Sequence, residues 1–297
     1  MRAYGFTSYG GPETQIWLDL PAPDPGPGEI LVAVRAAGVN PVDWKVRAGM
    51  HRAFLPLTLP AVLGREVAGV VERVGAGVTE LVVGDAVFGS SDAGGGGYAE
   101  LAVLPVRRAA HKPAAVSFTD AATLPVAAGA AYDAVGQLGL AAGETLLILG
   151  AAGGVGVAAA QLARAAGVTV IGTASTAKRS LLESLGVAAI PYDTADAELP
   201  ARVDAILDLV GDLHVVQPLL SPGCRVLTVA DPSTAAEFDV RPLTRRSTTT
   251  TLTELARLVV SGVLDPHVRS TFPLAQAGDA LRTVESGHAR GKVALVV

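Results

Sequence analysis

The stretch "LLILGAAGGVGVAAAQLARAAGVTVIGTAS", residues 146–175, constrains the fold of this chain more than any other. An apolar run of strand character meets a glycine cluster, a small-residue helical run follows, and a second β-branched run, "VTVIG", comes next. Strand, tight turn and helix leading to a second strand make a βαβ unit. Its fingerprint glycines let the backbone turn, approach a pyrophosphate and pack helix on strand. The helix N-terminus then holds the anion with free N–H groups and its dipole. Ala151 takes the first fingerprint position, Gly153 the second and Gly156 the third, with Gly154 and Val155 between them.

The second strand bears on which dinucleotide is held. NAD sites usually place an acidic residue about 20 positions past the glycines, on the ribose 2′-OH. This chain reads "GTASTAKRS" there, with Ser175, Lys178 and Arg179 and no Asp or Glu. A hydroxyl and two cations suit the 2′-phosphate of NADPH through charge-assisted hydrogen bonds. The plainer alternative is a solvated first helical turn, although cations at a helix N-terminus oppose the dipole.

The rest of the chain divides by pattern. Residues 1–117 are mostly β: "EILVAVRAAGV", "EVAGVVERVG" and "DAVFG" are short strands between Gly, Pro and Asp punctuation. "PAPDPGPGE" (21–29) reads as a stiff surface connection between the first two strands. From 118 the pattern changes. "FTDAATLPVAAGAAYDAVGQLG" has helical periodicity, and "TLLILG", "VTVIGTA", "AILDLV" and "RVLTVA" read as buried strands with helices between them. That alternation predicts a doubly wound parallel sheet over 118–248. The segment 249–297, with the amphipathic "LTELARLVVSG" and the final strand "GKVALVV", is expected to fold back onto the first domain. The fold class is therefore α/β, a Rossmann sheet plus a mostly-β domain.

Composition excludes several functions. Net charge is −5 with no Lys/Arg-rich run, so no nucleic-acid partner is expected. The N-terminus has no signal-peptide core and no apolar stretch is long enough for a bilayer, which predicts a cytoplasmic protein without membrane contact. The single cysteine, Cys224, reads as a buried, inert thiol at a strand start.

The motifs "AAGVNPVDWKVRAG" (36–49), "LPAVLGREVAGVVERVGAGV" (59–78), "GDAVFG" (84–89), "GGYAEL" (96–101), "AATLPVAAGAAYDA" (121–134), "AAGGVGVAAAQLA" (151–163) and "GHARGKVALVV" (287–297) run almost end to end. Together they resemble the zinc-independent quinone oxidoreductase branch of the medium-chain dehydrogenase/reductase family. The resemblance implies a GroES-like substrate domain from both chain ends, a Rossmann domain, and an active site in the cleft between them. It also implies NADPH-dependent reduction of quinones or α,β-unsaturated carbonyls, and a homodimer through the sixth-strand edge. The segment 231–251 is short for that edge, and Pro242 is awkward in a paired strand. A pathway-specific enoyl reductase acting on a polyketide-like intermediate and a non-catalytic NADPH-binding relative are the competing readings.

No zinc site is expected. Zinc-dependent relatives carry Cys where this chain has Asn40, and Gly-His-Glu where it has Gly64, Arg65 and Glu66. Without a metal, the substrate carbonyl must be polarised by hydrogen bonds or a cation. Asn40 offers an amide, Asp43 a carboxylate and Lys45 a mobile ammonium, and Lys45 resembles the enone reductases more than the quinone reductases, many of which have Tyr there. Helix capping is the alternative for Asn40 and Asp43. The resemblance further places Thr123, Pro125 and Val126 beside the nicotinamide and Val210 and Gly211 over the adenosine-to-ribose side. Val229 and Ala230 would line the nicotinamide end, and Tyr192 would stand by the adenine or the 2′-phosphate. Arg290 and Lys292 would reach the cofactor from the C-terminal segment. "DAGGGGY" (92–98) reads as a loop at the cleft mouth.

Overall fold

The computed structural model describes residues 1–92, 96–192, 199–229, 232–287 and 289–297. The chain forms two units, one of Met1–Val126, Ser247–Ser261 and Pro266–Val297, the other of Ala127–Arg246 and Gly262–Asp265.

The first unit opens with the antiparallel pair β1 (Arg2–Phe6) and β2 (Gln15–Asp19). β3 (Glu29–Val39) takes up the whole "EILVAVRAAGV" run, and α1 (Pro41–Arg47) follows it after one residue. Then come β4 (Ala61–Val62), β5 (Glu66–Val74), β6 (Ala86–Ser90), β7 (Leu101–Pro105), β8 (Ala109–His111) and α2 (Phe118–Ala122). β3 is the hub of this unit, antiparallel to both β5 and β7, with two register irregularities. Ile30, Leu31 and Val32 are all fully buried, so the strand has core on both faces and its sequence is apolar rather than alternating. "PAPDPGPGE" lies between β2 and β3, not between the first two strands. β2 escapes the pattern because Ile16 is exposed and Trp17 and Leu18 are only half-buried, which blurs the alternation.

The second unit begins with α3 (Gly129–Leu138) and continues β9 (Thr145–Leu149), α4 (Gly154–Ala165), β10 (Thr169–Ala174), α5 (Arg179–Ser184) and β11 (Ala188–Pro191). β12 (Ala205–Asp208), β13 (Arg225–Thr228), α6 (Pro232–Glu237) and β14 (Arg241–Pro242) complete it. Every pairing is parallel, in the order β11-β10-β9-β12-β13-β14. The strand order reverses at β9, and in open α/β sheets ligands bind beyond the carboxyl ends of the strands at that point. β14 is a two-residue edge strand, a position that tolerates Pro242.

The helical pattern over 118–139 is not one helix. A π-helical turn, Leu124–Ala128, separates α2 from α3, and Pro125 inside it removes a backbone donor. α2 packs against β3 and β5, which carries the first unit on to Val126 rather than ending it at 117.

After β14 the chain returns to the first unit. α7 (Thr249–Val260) is N-capped by the Thr248 hydroxyl, which accepts from Thr251 N–H at 3.2 Å. β15 (Val268–Pro273), α8 (Ala277–Glu285) and β16 (Lys292–Val296) follow. β16 pairs antiparallel with β3, extending the larger sheet to the order β15-β16-β3-β5-β6-β8, with β7 also on β3. The buried Arg47 guanidinium donates to both Glu285 carboxylate oxygens, at 3.2 and 2.7 Å, and pins α1 to α8. Among the described residues no helix is long and apolar enough to cross a membrane.

Candidate active site

In the second unit the glycine loop is built by backbone proximity. A Cβ on Gly156 would stand 2.5 Å from the Ala151 carbonyl oxygen, so only glycine lets α4 start this close to the end of β9. The first turn of α4 is bonded by Val157 N–H to the Gly153 carbonyl at 2.9 Å, and no side chain caps the helix. The N–H groups of Gly154, Val155 and Gly156 therefore lack an intrahelical acceptor and suit an anion. Thr173 on β10 holds the loop from below. Its hydroxyl accepts from Gly150 N–H at 3.0 Å and its carbonyl from Ala151 N–H at 2.9 Å.

Ala151, in the place of the first glycine, is accommodated by Gly172 on β10, where a Cβ would stand 2.5 Å from the Ala151 Cβ. The missing glycine has been compensated on the neighbouring strand. Sequence reasoning missed Gly172, whose only signal was a glycine inside the apolar run "VTVIGTA".

At the end of β10, Ser175 is half-buried and opens a 3-10 turn over Thr176–Lys178, in which Lys178 N–H bonds the Ser175 carbonyl at 2.8 Å. Tyr192 N–H bonds the Ala174 carbonyl at 3.1 Å, which brings this exposed tyrosine beside the same turn. Arg179 is not a free cation: it is exposed and paired with Glu183 one turn along α5, at 2.7 Å. At the end of β12 stands another group the sequence reading passed over, the fully buried Asp208. Its Oδ1 accepts from Val210 and Gly211 N–H, both at 2.9 Å, and its Oδ2 from the Thr228 hydroxyl at 2.7 Å. Asp208 thus shapes the loop on which the exposed Val210 sits. Val229 N–H bonds the Asp208 carbonyl at 2.9 Å, and Ala230 lies outside the described residues.

In the first unit the predicted residues converge on a centre that spacing did not reveal. β3 delivers Asn40 to the N-cap of α1, with Asp43 in the first turn accepting from Asn40 N–H at 2.8 Å. β5 begins with Glu66, fully buried, and β16 begins with Lys292, also buried. Lys292 Nζ donates to Asn40 Oδ1 at 2.6 Å, to Glu66 Oε1 at 2.9 Å and to the Val39 carbonyl at 3.3 Å. Asn40 Nδ2 donates to Glu66 Oε1 at 2.7 Å, and Glu66 Oε2 accepts from Val126 N–H, in the π-helical turn, at 2.7 Å. A Cβ on Gly38 would stand 2.1 Å from Glu66 Oε1, so glycine there is what admits the carboxylate. The Lys292 ammonium, both Asn40 amide atoms and both Glu66 carboxylate oxygens are paired.

These contacts bear on three expectations. Asn40 has both amide atoms engaged inside the unit and presents none outward. Lys292 does not extend toward a cofactor, because its ammonium is spent on the buried carboxylate. Asp43 Oδ2 caps α1 and accepts from the Tyr98 hydroxyl at 2.8 Å, which leaves Oδ1 as its open oxygen. Burial, opposed by the Asn40 and Tyr98 hydrogen bonds, pushes its pKa up to about 6, and burial beside that carboxylate pushes the Tyr98 hydroxyl up as well. Thr123 is buried and its hydroxyl donates to the Asp120 carbonyl at 2.9 Å, while Arg290 is exposed. Lys45 keeps its role open: it is half-buried, its ammonium lies 5.8 Å from the Trp44 ring centre, and that ammonium makes no hydrogen bond among the described residues. Residues 93–95 of "DAGGGGY" lie outside the described residues.

The reversed strand order and glycine loop are those of a dinucleotide-binding fold, and a separate β-rich unit accompanies it. Residues 26–114 match the alcohol dehydrogenase GroES-like domain and residues 185–295 the zinc-binding dehydrogenase domain. The chain is 33% identical over 309 residues to 2-methylene-furan-3-one reductase of Solanum lycopersicum, covering 99% of this chain and 79% of that protein. It is 32% identical over 307 residues to the NADPH-dependent alkenal/one oxidoreductase, chloroplastic, of Arabidopsis thaliana, covering 99% and 78%. The solved quinone oxidoreductase from Coxiella burnetii superposes with a TM-score of 0.93 at 31% identity, over 100% of this chain and 99% of that one. The chain belongs to the medium-chain dehydrogenase/reductase family.

Proposed function

We propose that this protein is an NADPH-dependent reductase of quinones or of the activated C=C bond of α,β-unsaturated carbonyls, acting without zinc. The observation that carries this reading is the Lys292–Glu66–Asn40 centre. Zinc-dependent relatives place a metal ligand where this chain has Asn40, and here an ammonium satisfies the amide and the carboxylate beside it. A divalent cation would have to displace Lys292 and find soft donors that the set lacks. No group of three or more His, Cys, Asp or Glu side chains placed for a metal occurs among the described residues.

The residues of the second unit fit NADPH. Gly153, Gly154, Val155 and Gly156 would hold the pyrophosphate, and Ser175, Lys178 and Arg179 the 2′-phosphate. The exposed Arg179–Glu183 pair costs little to part, since such pairs are worth about 0–1 kcal/mol. Bound NADPH supplies a hydride. The first unit's part is to receive the charge that hydride addition pushes onto the carbonyl oxygen, and Lys45 is the donor on α1 still available for it. Glu66 Oε2 holds the Val126 turn through its N–H, and Lys292 fixes the Glu66 carboxylate in place through Oε1.

Steady-state oxidation of NADPH against a panel of enones, alkenals and quinones, with and without a chelator, tests the reading. Turnover is expected with at least one class and unaffected by chelation, and Lys45→Met should lower kcat about a hundredfold, the effect of losing one such donor. Silence across the panel, with NADPH still bound, would favour a non-catalytic binding protein.

A further inference from the structure

Arg65 occupies the position at which zinc-dependent relatives carry a metal-ligating histidine, between Gly64 and the buried Glu66. Its side chain is only partly exposed, yet it makes no hydrogen bond and no ion pair among the described residues. The other arginines without such a bond among the described residues are exposed, so leaving a guanidinium unpaired costs them little. Arg65 has no such excuse.

Two further polar atoms of the same unit share its condition. Asp43 Oδ1 and Ser91 Oγ are buried and have no hydrogen-bond partner among the described residues. Ser91 N–H bonds the Arg65 carbonyl at 2.9 Å and continues the register in which Glu66 faces Ser90. Ser91 and Arg65 are therefore opposite one another at the end of the β5–β6 ladder, where antiparallel side chains share a face. Asp43 is tied to the same place through Tyr98. That ring packs so closely on Gly64 that a Cβ there would stand 2.2 Å from it, and its hydroxyl donates to Asp43 Oδ2. The charges acting on Arg65 are Asp43 and Asp92, which attract it, and Arg108, which repels it. Arg108 has its own partner in Asp92, at 3.1 Å.

We propose that Arg65 and the Ser91 hydroxyl, with the open oxygen of Asp43 beside them, form a subsite for a substrate oxygen that carries or acquires negative charge. The fork of the guanidinium and one hydroxyl make a donor set suited to a carboxylate or to the carbonyl oxygen of a conjugated ketone. Such an oxygen would pair Arg65 and offset its repulsion by Arg108. The open Asp43 oxygen favours a group that also brings a proton or an ordered water to that side. Burial lowers the pKa of Arg65, consistent with a cation held away from bulk water. The inference rests on the reductase reading above for its choice of ligand.

The test measures binding without turnover. Cinnamate, a carboxylate, and benzylideneacetone, the matching neutral enone, are titrated calorimetrically into the full chain with and without NADP+, which has no hydride to give. Wild type should bind at least one of them, and Arg65→Met should weaken that binding about tenfold or more, the effect of one charged hydrogen bond. Arg65→Lys should recover part of the loss, Ser91→Ala should show a smaller loss in the same direction, and affinity for NADP+ should not change. Weakening of cinnamate alone identifies the ligand as a carboxylate; weakening of both identifies it as the carbonyl oxygen. The proposal is overturned if wild type binds neither probe, or if Arg65→Met, or Arg65→Lys and Ser91→Ala together where the methionine variant does not fold, binds both as tightly as wild type. Arg65-dependent binding with no NADPH oxidation by any enone or quinone would instead remove the reductase reading and leave the subsite standing.

Discussion

Lys292 and Glu66 form a buried ion pair whose charges are further compensated by the Asn40 amide, and such pairs fix geometry more than they stabilise. Asp43, beside them, is different. Its folded pKa, about 6, lies above the ordinary 3.8, so the folded protein keeps this proton over a range where the unfolded chain has lost it. Stability from that difference is complete below about pH 4 and is lost as the pH rises to about 6, a change of about 3 kcal/mol at about 1.4 kcal/mol per unit. Asp43→Asn keeps an acceptor for the Asn40 N–H and does not titrate. Urea unfolding of both proteins across this range should show wild type losing about that much stability relative to the variant as the pH rises. Parallel profiles would mean that Asp43 titrates normally. The sequence offered Asn40, Asp43 and Lys292 as candidates but not their partnership. Glu66 is 26 residues from Asn40 and 226 from Lys292, and no local spacing reports a contact made by sheet pairing.

The glycine loop was the most legible element, because strand, turn and helix are contiguous in sequence and each glycine answers a local steric demand. What stayed hidden was the compensation from the next strand. Gly172→Ala should push its Cβ into Ala151, displace the loop from β10 and weaken NADPH binding at least about tenfold, in line with the roughly 1–3 kcal/mol cost of overpacking. Ala151→Gly in the same chain should restore binding, since it removes the atom in the way. Fluorescence titration of NADPH against the single and double variants checks this, and a double variant no better than the single one would contradict it. The helical pattern over 118–139 misled for a related reason. Apolar periodicity continues through Pro125, whereas the backbone passes into a π-helical turn whose Val126 N–H is bonded by Glu66.

As a whole the chain builds one β-rich unit from its two ends and a parallel-sheet unit from its middle. The fold class was readable because the change from punctuated short strands to alternating strands and helices is a property of long segments. The roles of individual side chains were less so, because they depend on which long-range neighbour consumes each donor. Cofactor choice follows from the second unit. Lys178→Ala with Arg179→Ala should weaken NADPH binding at least about tenfold, at roughly 1.5–3 kcal/mol per charged hydrogen bond, and leave NADH almost unchanged. Titration of both cofactors decides it, and equal losses would remove these residues from the 2′-phosphate.

The central claim is that hydride passes from NADPH to the conjugated carbon of a carbonyl substrate. NADPH deuterated at both C4 positions, incubated with an enone that the protein reduces, tests it in one product spectrum. The account predicts a single deuterium at the β-carbon, with solvent hydrogen at the α-carbon. Oxidation of NADPH that leaves no deuterium at the β-carbon would contradict it.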